Sequence, residues 1–472
     1  MTENNVRLYW KNVTAEAIGR RHGITRKVLD RLAGRTKAAI VQVNKDRKAG
    51  RTPYRDLPYS TEHPRSVKEL AAKARRGCEN LVVLGIGGSA LGNIALQTAL
   101  NSSLYNMDDT RRKGPRLFVL DNVDPVQFGT LLRWMDKRLD RTIWNVVSKS
   151  GETAETAAQF MIVRQMLRKK LGDSGYRRQV VATTDVSKGL LRRVSEADGL
   201  RTLVVPDGVG GRFSVLSPVG LFSAAMCGID IDSLLAGART MDARVKSLSF
   251  YRNPAALIAA INYHYCVERN KTMAVMIPYS QQLKDLSDWY RQLWAESLGK
   301  IKRVGGRNVH VGPTPIKALG ATDQHSQIQL YREGPNDKLI TFLEVEDFDE
   351  EVVIGPAPQG AADIEFLAGK GLGELLNNEK KATEYALLVN ERPCLTIQFP
   401  RVSAHTVGQF IYLYEAATSI AGVLWGINAY DQPAVELGKE ATRALMGKPG
   451  ADYAEFAKEM GWKMDVDAKF VV

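Results

Sequence analysis

The sequence predicts an α/β fold of two doubly wound parallel-sheet units, with helical extensions at the N- and C-terminal ends. Three observations point there. Short apolar runs recur with helical patterns between them. Two of these runs, Leu81-Val82-Val83-Leu84 and Ile143-Trp144-Asn145-Val146-Val147, pass straight into glycine- and serine-rich loops, as interior strands of a parallel sheet do. The alternation then stops in a helical middle and begins again, which makes two such units.

Taken in order, residues 1–65 read as helices joined by a polar segment, Arg51-Thr52-Pro53-Tyr54-Arg55-Asp56. Strand-like runs follow at 81–84, 116–120, 143–147, 180–183 and 202–205, with helical patterns in most gaps, notably Thr153 to Leu171. A helical stretch covers 218–270. The second alternating region starts at Met273-Ala274-Val275-Met276-Ile277-Pro278. It continues through Ile340–Leu343 and Leu395–Phe399 to a long helix at Ser403 to Ile427. The expected division is a helical extension over 1–65 packed on the second unit, α/β units at 66–230 and 231–440, and a second extension at 441–472.

Composition narrows the function classes. A chain of 472 residues allows roughly two to four domains. No apolar run approaches the ~20 residues of a membrane helix, so no membrane partner is expected. The start, Met1-Thr2-Glu3-Asn4-Asn5, lacks a basic-then-apolar signal, which predicts a cytoplasmic protein. Cysteines 78, 227, 266 and 394 are scattered, with neither metal nor redox spacing, and read as reduced structural thiols. The formal charge of +13 comes from separated basic pairs and one triplet, Arg111-Arg112-Lys113. No basic stripe with stacking aromatics is present, so no nucleic-acid partner is expected. The charge can still steer anionic substrates.

The two loops suggest the ligand. Successive strand-to-helix loops of a parallel sheet lie on one edge, where ligands bind. Small residues let backbone N–H groups approach an anion, and the following helix N-terminus favours negative charge. The first loop, Gly85-Ile86-Gly87-Gly88-Ser89-Ala90, also fits a dinucleotide pattern, but Asp121 lies far beyond the usual ~20-residue spacing for a ribose-binding acid. The second loop offers hydroxyl donors at Ser148, Ser150 and Thr153 and a charge at Lys149, directly before a helix. A capping box, with Ser150 as N-cap and Thr153 three residues on, uses the same donors. Four donor residues within six positions exceed what capping needs. The loops therefore predict a phosphate-bearing small molecule.

Gly85–Gly92 (GIGGSALG) and Ser148–Thr156 (SKSGETAET) resemble the sugar isomerase domain. Gly210–Gly220 (GGRFSVLSPVG) and Tyr430–Lys439 (YDQPAVELGK) resemble the two signatures of the glucose-6-phosphate isomerase family. Gln292–Lys300 (QLWAESLGK) and Gly320–Leu330 (GATDQHSQIQL) resemble further motifs of that family. One position departs: the second signature usually has glycine where Ala434 stands. The resemblance implies two sugar-isomerase units and a homodimer with shared active sites. It also implies reversible isomerisation of glucose 6-phosphate and fructose 6-phosphate through a cis-enediol, in glycolysis and gluconeogenesis. Two alternatives stay open: an isomerase of another phosphosugar, including dual glucose and mannose phosphate specificity, and a sugar-phosphate-sensing regulator.

Aldose–ketose isomerisation needs a base, a stabiliser for the enediolate oxygen and groups that open the sugar ring. Glu296 is the expected base, on a helix read over Asp285–Leu298 that ends at Gly299, with Gln292 four residues earlier on the same face. Trp289, Leu293 and Leu298 predict that this helix is substantially buried. Arg212, in a tight glycine turn, keeps its charge at neutral pH and suits an enediolate. His325, in a polar loop, suits proton transfer to the ring oxygen. The resemblance assigns His325 and Lys439 to ring opening, with His325 reaching in from the neighbouring subunit. It assigns Ser148, Lys149, Ser150 and Thr153 to the phosphate, Gln292 and Gln432 to substrate, and Gly88 and Ser89 to the sugar side. Asp323, His264 and His405 read as structural. The six histidines show no HExxH or other ligand spacing, so neither a metal nor another cofactor is expected.

Overall fold

A computed structural model describes residues 4–472 and places two five-stranded sheets in them. The first strand of the chain, β1 (Arg7–Tyr9), belongs to the second sheet. The first sheet consists of β2 (Asn80–Leu84), β3 (Arg116–Leu120), β4 (Thr142–Val147), β5 (Val180–Thr184) and β6 (Arg201–Val204). Its strands are all parallel, in the order β3-β2-β4-β5-β6. β2 and β4 are buried along their whole length, which is why they read as mainly apolar runs; the buried Asn145 of β4 accepts from Thr183 Oγ1 of β5 at 2.8 Å. From β2 the chain turns to one side to make β3, then to the other side for β4, β5 and β6. The order therefore reverses between β2 and β4, and a crevice opens beyond their C-terminal ends. The loops 85–89 and 148–153 flank that crevice.

The helix after β4 covers Ala154–Gln179 and packs Phe160, Val163 and Leu167 onto Trp144 and Val146. It holds two helical segments that meet at Gly172, whose φ of +66° interrupts the first near the expected end at Leu171. The helical middle resolves into Pro218–Met226, Ile231–Val245 and Pro254–Tyr263. Two share a start signal, Ser217 or Asn253 as N-cap followed directly by proline. The third is capped by Asp230, which accepts from Asp232 and Ser233 N–H.

The second sheet adds β7 (Met273–Pro278). A short hairpin, β8 (Lys300–Lys302) and β9 (Asn308–Val311), stands apart from it. β10 (Thr314–Lys317), β11 (Lys338–Asp347) and β12 (Cys394–Arg401) follow. The order is β1-β12-β11-β7-β10, with β7, β10, β11 and β12 parallel and β1 antiparallel on β12. This corrects two expectations: the sheet is mixed, and the N-terminal stretch contributes a strand before its helices. Three residues are too few to show a period-2 pattern, and the partner of β1 lies nearly four hundred residues away, Arg7 facing Gln398. β10, with four residues, is hidden for the same reason.

The helix Ala404–Trp425 is buried over nearly all its length and starts in a capping box of Ser403 and Thr406. The N-terminal stretch is tied to it through Asp242, which is fully buried. Asp242 accepts from Arg47 (2.9 Å to each oxygen), Tyr59 (2.6 Å) and Tyr412 (2.6 Å), and pairs with Lys246 (2.6 Å) and Arg55 (3.4 Å). Next to this network the Tyr54 ring lies 4.7 Å from the Phe213 ring, and its hydroxyl is 2.5 Å from Ser419 Oγ. Residues 52–59 thus buttress the turn that holds Arg212.

All of this forms one compact unit that runs to Ala429. The second unit, Tyr430–Val472, has helices Ala434–Leu445 and Ala451–Met464, joined where Tyr453 donates to Glu440 Oε2 at 2.7 Å. Among the described residues no helix is long and apolar enough to cross a membrane.

Candidate active site

The helix Lys284–Leu298 ends at Gly299 and buries Trp289, Tyr290, Leu293, Trp294 and Leu298. This periodic burial leaves Gln292 and Glu296, one turn apart, on its less buried side. Gln292 Nε2 donates to Glu296 Oε2 at 3.3 Å. Gln292 Oε1 is buried and has no hydrogen-bond partner among the described residues. The Glu296 side chain is 26% exposed, and Arg212 Nη1 stands 3.4 Å from its Oε2.

Arg212 is almost fully buried in a single 3-10 turn, Gly211–Phe213. Its Nε donates to Ser297 Oγ at 2.7 Å and its Nη2 to the Ala429 carbonyl at 2.8 Å. A buried guanidinium must have its donors satisfied, and these two bonds fix its plane. Ser297, which the sequence pattern did not single out, joins this cluster through Arg212. It lies next to Glu296 inside the Gln292–Lys300 motif, and that motif is the signal that could have found it.

The first loop supports this cluster through glycines. A Cβ on Gly88 would stand 2.1 Å from the Gly211 carbonyl carbon and 2.6 Å from Arg212 N. A Cβ on Gly87, where φ is +58°, would stand 2.9 Å from Gln292 Nε2. The backbone of 87–89 therefore lies directly on the Arg212 turn and beside Gln292. The structure thus brings together Gly88, Arg212, Gln292 and Glu296, with Ser89 half-buried in the same turn.

The second loop leaves β4, the neighbour of β2. Ser148 is buried, and its Oγ accepts from Gly151 N at 3.0 Å. Ser150 is exposed, and its Oγ accepts from Glu152 N at 3.2 Å. The N-cap of the following helix is Thr153, whose side chain makes no capping hydrogen bond. The capping box with Ser150 as N-cap is therefore not formed. The serine hydroxyls act as acceptors inside the loop, which leaves each O–H able to donate to an anion. The Lys149 carbonyl accepts from Thr184 Oγ1 at 3.2 Å, which ties the loop to β5, and its Nζ sits 3.5 Å from Asp207 Oδ1. Gly151 and Gly189 hold left-handed backbone, and a Cβ on either would collide with Leu191 N (2.2 Å) or Ser150 O (2.5 Å).

His325 ends a 3-10 turn, Thr322–His325, and is exposed. Among the described residues no hydrogen bond or ion pair joins it to Glu296 or Arg212. Gln432 and Lys439 belong to the second unit, where Lys439 Nζ is 2.8 Å from Glu436 Oε1 on an exposed helix face. Ala434 is the first residue of that helix, after Pro433 at φ −63°, so its backbone does not require glycine. The residues read as structural make internal contacts. His264 Nδ1 is 2.7 Å from Glu268 Oε2, and burial pushes its pKa below the usual value. His405 Nε2 is 3.2 Å from Thr240 Oγ1, and Asp323 accepts from Leu319 N at 2.7 Å. Among the described residues no three His, Cys, Asp or Glu side chains gather as a metal-ligand group.

A family model described as phosphoglucose isomerase matches residues 61–458. A glucose-6-phosphate isomerase of Carboxydothermus hydrogenoformans is 47% identical over 415 residues, 88% of this chain and 89% of that one. One of Rubrobacter xylanophilus is 42% identical over 429 residues, 91% and 96% of the two chains. Among solved structures, a hypothetical protein of Thermus thermophilus superposes with a TM-score of 0.83 at 36% identity, covering 94% of this chain and all of that one. A Chlamydia trachomatis glucose-6-phosphate isomerase superposes at 0.73 over 85% of this chain and 77% of its own, at 24% identity, and shares the fold.

Proposed function

This chain belongs to the phosphoglucose isomerase family, and on that premise we propose how its residues divide the reaction. The protein is an aldose–ketose isomerase that interconverts glucose 6-phosphate and fructose 6-phosphate. The observation that supports the assignment most directly is the cluster of Gln292, Glu296, Arg212 and Ser297 seated on Gly88.

Ser148, Lys149, Ser150 and Thr153 hold the phosphate at the helix N-terminus, with Gly88 and Ser89 along the sugar. Gln292 and Gln432 bind substrate. The buried Gln292 Oε1 gains its missing partner from a sugar hydroxyl. His325 gives a proton to the ring oxygen as the C1 hydroxyl loses one, with Lys439 assisting, and the ring opens to the aldehyde. Glu296 then removes the C2 proton. The C–H electron pair becomes the C1=C2 bond of a cis-enediolate, and its oxygen charge faces Arg212, already fixed by Ser297 and Ala429. Glu296 returns the proton to C1, and proton exchange between the oxygens completes the ketose. His325 comes from the second subunit of a homodimer. The reaction uses no metal or other cofactor, and the enzyme works in the cytoplasm. The division at 1–65, 66–230, 231–440 and 441–472 belongs to the same reading.

A coupled assay tests both the activity and its metal independence. Enzyme dialysed at length against a strong chelator should convert fructose 6-phosphate to glucose 6-phosphate at the undialysed rate. Activity lost on dialysis and restored by a divalent ion would refute the metal-free route. No activity before or after dialysis would refute the whole reading.

A further inference from the structure

We infer that Tyr279 is a positioning residue for His325, acting through Gln324. The inference rests on the reading of His325 as the ring-opening acid and extends it to a side chain at the end of β7.

β10 lies parallel to β7, and the chain beyond β10 continues the ladder, with Ala318 N donating to Met276 O (3.0 Å) and Gly320 N to Pro278 O (2.9 Å). Tyr279 follows Pro278. Its own N–H donates to Leu343 O of β11 at 2.8 Å, and its side chain is fully buried against Phe342. Tyr279 is thus fixed on the frame of the second sheet. It grips the turn after β10 at two points. A Cβ on Gly320 would stand 2.5 Å from ring carbons Cδ2 and Cε2, so the Gly320 backbone lies flat on the ring face. The hydroxyl donates to Gln324 Oε1 at 2.5 Å. Between these points Asp323 closes the turn on itself, accepting from Leu319 N (2.7 Å) and Ser326 Oγ (2.6 Å). His325 is the residue after Gln324 and is exposed.

The ring therefore sets the height of the turn at Gly320, and the hydroxyl sets its rotation at Gln324. Without the hydroxyl, a half-buried amide oxygen loses its donor and Gln324 turns to find another. That turn moves the adjacent His325 backbone, and general acid catalysis is sensitive to displacements well below the size of a side chain.

Ring opening can be read separately from isomerisation. In a Glu296→Gln background proton abstraction at C2 is blocked, yet ring opening and closing still interconvert the α and β anomers of glucose 6-phosphate. Exchange NMR measures that rate. Tyr279→Phe keeps the ring and loses the hydroxyl, while Gln324→Leu removes the same bond from the loop side. Each should slow anomer exchange by about tenfold, the loss of one buried hydrogen bond. The double variant should be no slower than Tyr279→Phe alone, because Gln324→Leu breaks a contact that Tyr279→Phe, which also frees Thr383, has already removed. The Kd for inorganic phosphate, bound on the other sheet, should not change. Anomer exchange at the background rate in both variants would overturn the inference, and so would exchange and phosphate affinity falling together in both. His325→Ala separates the two readings. If it leaves anomer exchange intact, the ring-opening assignment fails. If it stops exchange while the Tyr279 and Gln324 variants do not slow it, only the positioning role fails.

Discussion

Glu296 sits between a donor that can hold substrate and a cation that can hold the product of its own proton transfer. Gln292 and Arg212 both approach the same oxygen, Oε2, at 3.3 and 3.4 Å. An amide at position 296 keeps the shape and loses the basicity. Glu296→Gln should lower turnover by about 10²–10⁴ while substrate affinity stays nearly the same, the usual effect of removing a positioned base. Steady-state kinetics in the coupled assay check this, and turnover within about tenfold of wild type would reassign the base. The glycines at this scale act through space they leave empty. At Gly88 a single methyl group would meet the backbone of Gly211 and Arg212, which cannot move aside as the tip of a side chain can. That residue can lie against the Arg212 turn because it has no side chain.

Two elements give predictions of their own. In the proposed reaction the hydroxyls of Ser148, Ser150 and Thr153 bind a non-reacting phosphate, so replacing all three by alanine should mainly weaken substrate binding. Some turnover should go too, since remote binding also aids the chemistry. Titration with inorganic phosphate reads the effect, and unchanged affinity would rule out the cradle. The second element is the tie of residues 47–59 to the helices Ile231–Val245 and Ala404–Trp425 through Asp242. Burial pushes the Asp242 carboxyl up. Hydrogen bonds from Lys246, Tyr412, Tyr59 and Arg47 outweigh burial and hold it at about 2. A carboxylate acidified by folding adds stability that is complete above its unfolded value near 4 and fades as pH falls to about 2. That stability is about 2 kcal/mol. Asp242→Asn also leaves Arg55 buried without its carboxylate, so at neutral pH the loss should reach about 3–5 kcal/mol. Urea midpoints of wild type and variant should converge as pH falls from about 4 toward 2. A gap constant across that range would remove Asp242 as the source.

At the scale of the molecule, the two sheets repeat one topology. In each, the first parallel strand is followed by a neighbour on one side and then by strands on the other: β3-β2-β4-β5 in the first, β10-β7-β11-β12 in the second. Each sheet then has its own crevice, and the phosphate loop and the His325 turn follow strands of different sheets. The proposed sharing of each site between two subunits has a direct consequence. Glu296→Gln and His325→Ala homodimers should both be nearly inactive. Subunit exchange between them gives heterodimers with one doubly damaged site and one intact site. Activity should return to about half the wild-type rate per heterodimer if the sites act independently. A mixture that stays inactive, with heterodimers confirmed by mass, would place Glu296 and His325 in sites built from one chain.

Much of this protein is legible before folding is considered. Runs such as Leu81–Leu84 and Ile143–Val147 read as interior strands, because a strand buried on both faces is apolar at nearly every position, and the one polar residue of the second run, Asn145, is buried with a partner in Thr183. Glu296 and Gln292 share a helix face by spacing alone, and glycine-rich loops beside helix starts announce an anion. What the sequence could not show is whatever depends on distance across the chain. β1 is three residues long and becomes a strand only because β12 offers it an edge. The grip of Ser297 on Arg212 spans 85 positions, and that of Tyr279 on Gln324 spans 45. Local pattern fixes periodicity, burial and turn chemistry, since these arise from neighbours along the chain. Which side chain meets which, and at what angle, is decided only when the elements pack.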